Sequence, residues 1–131
     1  MTRFITDILP VCFVLLVISS AGCSKSGPQL APVTGRITLD GAPLANADVL
    51  FQPDDATPPS SARADAEGRY VLAYKRGVMG GHLGSNTVRI TISPDVVPNP
   101  PNIPARYNAE SKLTKEIKSG QNEFNFELTT N

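Results

Sequence analysis

The sequence predicts an all-β protein, a sandwich of short antiparallel strands, that follows an amino-terminal secretion signal. Three observations support this fold class. After residue 32, apolar residues recur at every second position, which is the period of strands with one buried face. The chain contains 12 prolines, and prolines disfavour long helices. A short apolar run near the start ends at a cysteine that follows small residues.

Residues 1–22 have the features of a signal peptide. The apolar run from Ile8 to Ile18 is shorter than the roughly 20 residues that a helix needs to cross a bilayer. Ala21 and Gly22 supply the small side chains that a signal peptidase needs before its cut. Together with Cys23, they resemble the lipobox of bacterial lipoproteins. The resemblance implies that Cys23 begins the mature chain and carries diacylglyceryl and acyl groups such as palmitate, which together anchor it stably.

The signal segment leaves one alternative open. Ser20 stands where the lipobox usually has Leu, and Asp7 partly offsets the positive charge of Arg3. In the alternative, the segment remains as an uncleaved anchor helix, although Ser19–Cys23 is too polar to lengthen the span. Cys12 lies too early to be the lipidated residue, and we expect it to be removed with the signal.

Either arrangement places the protein on a membrane of the cell envelope, facing the periplasm or the exterior. By family analogy, Ser24 after the lipidated cysteine favours the outer membrane, because Asp is the usual signal for inner-membrane retention at this position. The membrane is therefore the first expected partner. A further partner, an envelope protein or a glycan, stays unidentified, as does the oligomeric state.

The mature chain divides into a tether and one domain. Residues 23–31 are small, polar and proline-bearing, as in a flexible tether, and residues 32–131 have the length of a single domain. Cys23 is the only cysteine left after the signal, so no intrachain disulfide is expected. Lys and Arg total 12, as do Asp and Glu, and this neutral balance predicts no binding to nucleic acid.

Turn and loop signals separate the alternating segments. Asp40-Gly41, Asp65–Gly68 and Ser119-Gly120 are typical of tight turns. The second of these lacks the twelve-residue ligand series of a calcium loop, so we interpret it as a turn. The stretches Pro53–Ser60 and Pro94–Pro104 are rich in proline and stiff, and we expect them along the sheet edges.

Three blocks of the domain resemble the carboxypeptidase regulatory-like domain. They are Val33–Phe51 with its Asp-Gly-Ala-Pro-Leu turn, the hairpin Ala64–Leu72, and Pro104–Asn108 followed by Leu113–Leu128. The resemblance covers nearly all of residues 32–129. It implies a seven-stranded antiparallel Greek-key sandwich of the transthyretin (prealbumin) type, with strands near residues 32–39, 46–52, 61–65, 68–74, 86–94, 112–118 and 122–129.

Few residues of the domain suggest chemistry. His82, the sole histidine, lies among glycines, and we interpret it as an exposed loop residue. The domain has no H-E-x-x-H motif, no second histidine and no G-x-S-x-G motif. The hydrolases of the transthyretin family use several histidines and a Tyr-Arg-Gly-Ser ending, neither of which is present. We therefore expect no enzyme activity, no metal and no cofactor.

Two small aromatic and basic clusters are candidate contact surfaces. Tyr74, Lys75 and Arg76 lie next to a glycine-rich connection, and Arg106 and Tyr107 follow the second proline-rich stretch. Both clusters could touch a protein or a glycan. The structural alternative, which we favour, makes them edge-strand charges and a tyrosine cap.

These observations predict a lipid-anchored, non-catalytic β-sandwich displayed on the cell envelope for protein contacts or scaffolding. A carbohydrate-binding module is the first alternative, although the chain has no tryptophan to stack on sugar rings. A small transthyretin-like hydrolase with a pocket around His82 is the second.

Overall fold

A computed structural model describes residues 27–131, and both the predicted signal peptide and Cys23 lie outside this range. The described residues are all-β, with short strands and one 3₁₀ turn at Ala105–Tyr107. No helix in this part of the chain has the length and apolar character needed to cross a membrane. The strands are β1 (Leu30–Ala31), β2 (Val33–Leu39), β3 (Ala42–Pro43), β4 (Asp48–Pro53), β5 (Ser60–Arg63), β6 (Arg69–Val71), β7 (Ala73–Lys75), β8 (Val78–Met79), β9 (Gly81–His82), β10 (Gly84–Thr91), β11 (Thr114–Ile117), β12 (Asn122–Glu123) and β13 (Phe126–Leu128).

Two open sheets pack face to face around the core. The larger is antiparallel, with the strand order β11-β10-β4-β5-β7-β8. The smaller is mixed: β12 and β13 pair with the central β2 in parallel, whereas β3 and β6 pair with it antiparallel. A separate pairing joins β1 to β9.

Each predicted strand segment contains a strand, but two segments are divided. Segment 68–74 separates at Leu72 into β6, in the mixed sheet, and β7, in the antiparallel sheet. Segment 122–129 separates at Phe124–Asn125 into β12 and β13. The expectation of purely antiparallel sheets is wrong at this point, because both of these strands run parallel to β2. Alternation reports which face is buried and carries no information on strand direction.

The alternation itself is confirmed in the core. On β4, Val49 and Phe51 are fully buried and Leu50 between them is not; on β10, Val88 and Ile90 are fully buried. These residues face the inner side of the mixed sheet. Burial of this apolar surface is the main favourable contribution to the stability of the sandwich.

An aromatic cluster joins the two sheets. The ring of Phe51 on β4 lies 6.5 Å from that of Tyr70, 6.1 Å from Phe124 and 6.2 Å from Phe126, measured between centroids. Lys115 on β11 places its Nζ 5.7 Å from the centroid of Phe124. The ammonium group therefore covers the cluster where the edges of the two sheets meet.

A close approach between backbones interrupts the mixed sheet at Gly35. The Phe124 carbonyl oxygen accepts a 2.6 Å hydrogen bond from the hydroxyl of Tyr70. Burial raises the pKa of Tyr70, so this hydroxyl keeps its proton and donates. The backbone N–H of Arg36 donates to the Asn125 side-chain oxygen at 2.9 Å, which replaces a carbonyl partner. A Cβ on Gly35 would overlap the Phe124 carbonyl, so the sheet needs glycine there.

The amino-terminal strand joins the sandwich at what we call the proximal end. Leu30 pairs with His82, and the N–H of Leu83 donates to the carbonyl of Gln29 at 3.1 Å. The turn between β7 and β8 lies at this end, since Tyr74 packs against His82. Loop 54–59 lies there too, because β4 ends beside the start of β10.

The opposite, distal end carries the Asp40-Gly41 and Asp65–Gly68 turns, residues 92–108, and residues 129–131. The N–H of Asp40 donates to the Leu128 carbonyl at 2.8 Å. Asp65 Oδ1 accepts 2.9 Å hydrogen bonds from the N–H groups of Glu67 and Arg69. These bonds confirm the interpretation of Asp65–Gly68 as a turn.

Three local expectations differ from the structure. His82 is 8% exposed and lies in β9 instead of an exposed loop, because Gly80 and Gly81 permit close packing against β1 and the core. Leu30–Ala31 form β1, so ordered pairing begins within the predicted tether. The proline-rich loop 54–59 is the connection of the β4–β5 hairpin and does not line a sheet edge.

Candidate functional site

An open cleft of about 590 Å³ lies on the outer face of the mixed sheet. Arg36 of β2 and Arg69 of β6 are directly opposite each other in it. Glu123 and Glu127 line its other side, on the strands parallel to β2. Val71, which is 56% exposed, adds an apolar group. The cleft therefore has a basic side and an acidic side.

The two arginines of the cleft have unused hydrogen-bonding capacity. Arg36 Nε donates to the Glu67 carbonyl at 3.1 Å, and neither guanidinium forms an ion pair with a carboxylate of residues 27–131. Like charges opposite each other on neighbouring strands repel, so an acidic group of a partner would be stabilised between them. The two guanidinium groups are thus available to an acidic group of a partner.

The predicted cluster Tyr74–Arg76 lies at the proximal end. Lys75 Nζ is 5.9 Å from the centroid of the Tyr74 ring, and this ring meets the imidazole of His82 edge-on at 4.7 Å. Lys75 and Arg76 are exposed, whereas Tyr74 is half-buried. Tyr74 is thus a packing residue, and the two basic side chains are available to a partner.

Replacing His82 by Phe is expected to change the free energy of unfolding by no more than about 1 kcal/mol. The His82 Nε2 atom is buried and has no hydrogen-bond partner in the described residues, so little polar bonding is lost. A Phe ring keeps the edge contact with Tyr74. Denaturant unfolding of the full chain measures the change. A loss above about 3 kcal/mol would show that the imidazole makes an essential hydrogen bond.

The second predicted cluster, Arg106 and Tyr107, lies at the distal end and holds the last residues in place. Arg106 Nη2 donates to the Thr129 carbonyl and, at 2.8 Å, to the Asn131 carbonyl. Its guanidinium lies 4.8 Å from the centroid of the Tyr107 ring. The Thr129 N–H donates to the Tyr107 hydroxyl oxygen at 3.1 Å. This geometry supports the structural alternative for these two residues.

Tyr107 is expected to ionise at a lower pH than a free tyrosine. Hydrogen bonds from the side chain and backbone of Thr129 lower the pKa of Tyr107 from 10.0 to about 8, with a further contribution from Arg106. Because the folded-state pKa lies below the unfolded value, the folded state loses this proton first and the stability rises between these two pH values. Phenolate absorbance follows the titration. Tyr107→Phe should remove the phenolate signal near pH 8. A signal near pH 8 that survives in this variant, or no such signal in the original chain, would contradict the assignment.

The predicted contact residues do not form one site. Tyr74, Lys75 and Arg76 lie at the proximal end, Arg106 and Tyr107 at the distal end, and no hydrogen bond or ring contact in residues 27–131 joins the two groups. The cleft could not be predicted from the sequence. Alternation places Arg36 and Arg69 on outward faces, and only the pairing of β2 with β6 shows that they are neighbours.

The chain matches no family model and no curated protein. It is similar to the structure of a DUF3823 family protein from Parabacteroides merdae, with 18% identity and a TM-score of 0.49, over 79% of this chain and 47% of that one. It is also similar to a 9R-lipoxygenase from Cyanothece, with 20% identity and a TM-score of 0.40, over 78% of this chain and 16% of that one. This chain thus spans less than half of the length of each of these two proteins. The described residues themselves define the class: an all-β domain with two packed sheets.

Proposed function

We propose that this protein is a lipid-anchored, non-catalytic β-sandwich module of the bacterial cell envelope that contacts other envelope proteins. The observation that carries the proposal is Cys23, which follows a short apolar run and two small residues. The residue after it, Ser24, favours the outer membrane. We further propose that the domain has the Greek-key topology of the transthyretin-like, carboxypeptidase regulatory-like domains, on the sequence blocks that resemble them.

The geometry of the domain suits such an anchor. The link from Cys23 to β1 at Leu30 reaches at most about 25 Å when fully extended. A lipidated Cys23 would therefore hold the proximal end near the membrane. The distal end and the cleft of the mixed sheet would remain accessible to a partner, and the opposed charges of the cleft suit a protein surface.

The position of His82 favours a module over a hydrolase. A catalytic imidazole must reach a substrate, whereas that of His82 is buried against Tyr74. A carbohydrate-binding role is also less favoured. Tyr70, the aromatic residue that lines the cleft, is 2% exposed and offers no face on which a sugar ring could stack.

Cys23→Ala tests the anchoring proposal in cells. We expect the full chain to lose incorporation of a labelled fatty acid and to shift from the membrane fraction to the soluble fraction, because the acyl chains supply the membrane affinity. Cys12→Ala is the matched control and should retain both the label and the membrane fraction. An unchanged membrane fraction for Cys23→Ala, with the signal still attached, would favour the anchor helix.

A further inference from the structure

We propose that the proximal end of the sandwich rests on anionic lipid headgroups through a basic hairpin that supplements the lipid anchor. This inference rests on the anchoring proposed above. The hairpin consists of β7, the turn at Arg76–Gly77 and β8. It presents Lys75, Arg76 and Met79 to solvent.

The hairpin is fixed beside the strand that leads to Cys23. Tyr74 of β7 packs against His82 at 4.7 Å, and His82 pairs with Leu30 of β1. At the end of the hairpin, a Cβ on Gly80 would lie 2.8 Å from the Ala31 carbonyl oxygen, so the two backbones are in close contact. Whatever holds β1 near a membrane therefore holds the hairpin near it as well.

The hairpin combines the two properties that favour an interfacial position. Lys75 and Arg76 are exposed and form no ion pair in residues 27–131, so their charges are available to phosphate groups. Met79 on the neighbouring strand is 55% exposed and can enter the boundary between headgroups and acyl chains. A basic cluster beside an exposed apolar side chain is typical of a surface that lies on a membrane.

The other charges near this end are of both signs. Lys118 follows β11, whose last residue pairs with the first residue of β10. Asp54 and Asp55 in loop 54–59 have the opposite charge. Asp55 accepts hydrogen bonds from the N–H and hydroxyl groups of Thr57. Glu116 on β11 and Glu123 on β12 are also exposed near this end. The basic charge is therefore local to the hairpin, where no acidic residue accompanies Lys75 and Arg76 between residues 73 and 79.

Spin labels at the two ends of the domain can test this orientation. The full lipidated chain, carrying Cys12→Ala, is reconstituted into vesicles of phosphatidylglycerol and phosphatidylethanolamine. In one sample the label is at Ser119→Cys, near the proximal end. In a second sample it is at Ala66→Cys, in the distal turn. Both positions are exposed. A nickel chelate attached to lipid headgroups should relax the label at residue 119 strongly and the label at residue 66 weakly.

Charge reversal of the hairpin should undo this docking. Lys75→Glu with Arg76→Glu is expected to lower the ratio of docked to undocked domain by at least roughly 30-fold, from about fivefold for each of the two basic charges lost. Lys112→Glu, which reverses an exposed charge away from the proximal end and outside the cleft, should leave it unchanged. The proposal would be overturned if both labels relaxed equally or if the Lys75/Arg76 variant docked as well as the original chain. Equal docking on vesicles of phosphatidylcholine, which carry no net charge, would also overturn it.

The same samples separate this inference from the anchoring on which it rests. Sedimentation with vesicles and the mass of the lipidated amino terminus should be the same in all variants, because neither depends on Lys75 or Arg76. A chain without lipid mass that fails to sediment would contradict the anchoring. A lipidated chain that sediments but shows no proximal contact would contradict only the docking of the hairpin.

Discussion

Gly35→Ala is expected to lower the free energy of unfolding by about 3 to 5 kcal/mol. The added Cβ would overlap the Phe124 carbonyl and lie 2.8 Å from Tyr70 Cε1. The first of these neighbours is backbone, so relief requires β12 and β13 to separate from β2. This movement would break the 2.6 Å hydrogen bond between Tyr70 and Phe124. Denaturant unfolding followed by circular dichroism measures the loss.

Gly27→Ala is the control for this prediction, because a Cβ at Gly27 would have nothing within 4 Å. Its effect should stay within about 0.5 kcal/mol. A loss below about 1 kcal/mol for Gly35→Ala would show that the mixed sheet accommodates a side chain at this position.

Phe51→Ala should have a comparable effect, about 3 to 5 kcal/mol of unfolding free energy. Phe51 is fully buried, and its ring contacts Tyr70, Phe124 and Phe126 from the opposite sheet. Truncation leaves a cavity where the two sheets meet. The β4 backbone around it is held by pairing with both β5 and β10, which limits collapse.

The same unfolding experiment on Val71→Ala provides the comparison, because Val71 is 56% exposed on the outer face of the mixed sheet. We expect a change of no more than about 0.5 kcal/mol. Similar losses for the two variants would contradict the assignment of Phe51 to the centre of the core.

Much of this fold could be predicted from the alternation of apolar residues, because burial of one sheet face determines it directly. Val49, Phe51, Val88 and Ile90 are core residues for this reason. The division of segment 68–74 at Leu72 could not be predicted. Leu72 is buried where the chain passes from one sheet to the other. The alternation of buried and exposed residues continues through it, as it would within a single strand.

Contacts between distant residues explain why the rest required the structure. The need for glycine at position 35 depends on Phe124, far along the chain. The prediction that His82 lies in an exposed loop is wrong because glycine-rich sequence is typical of flexible loops, whereas here Gly81 packs close to Ile117 and Leu72. The opposition of Arg36 and Arg69 likewise follows from strand pairing.

The mass of the amino-terminal peptide tests lipid anchoring most directly. Trypsin cleavage after Lys25 should release a peptide that begins at Cys23 and contains Ser24, with added mass for a diacylglyceryl group on the sulfur and an acyl chain on the amino terminus. The account predicts this modified peptide in the membrane fraction of cells that express the full chain. An unmodified Cys23 in a chain that retains residues 1–22, or a mature amino terminus at another residue, would contradict it.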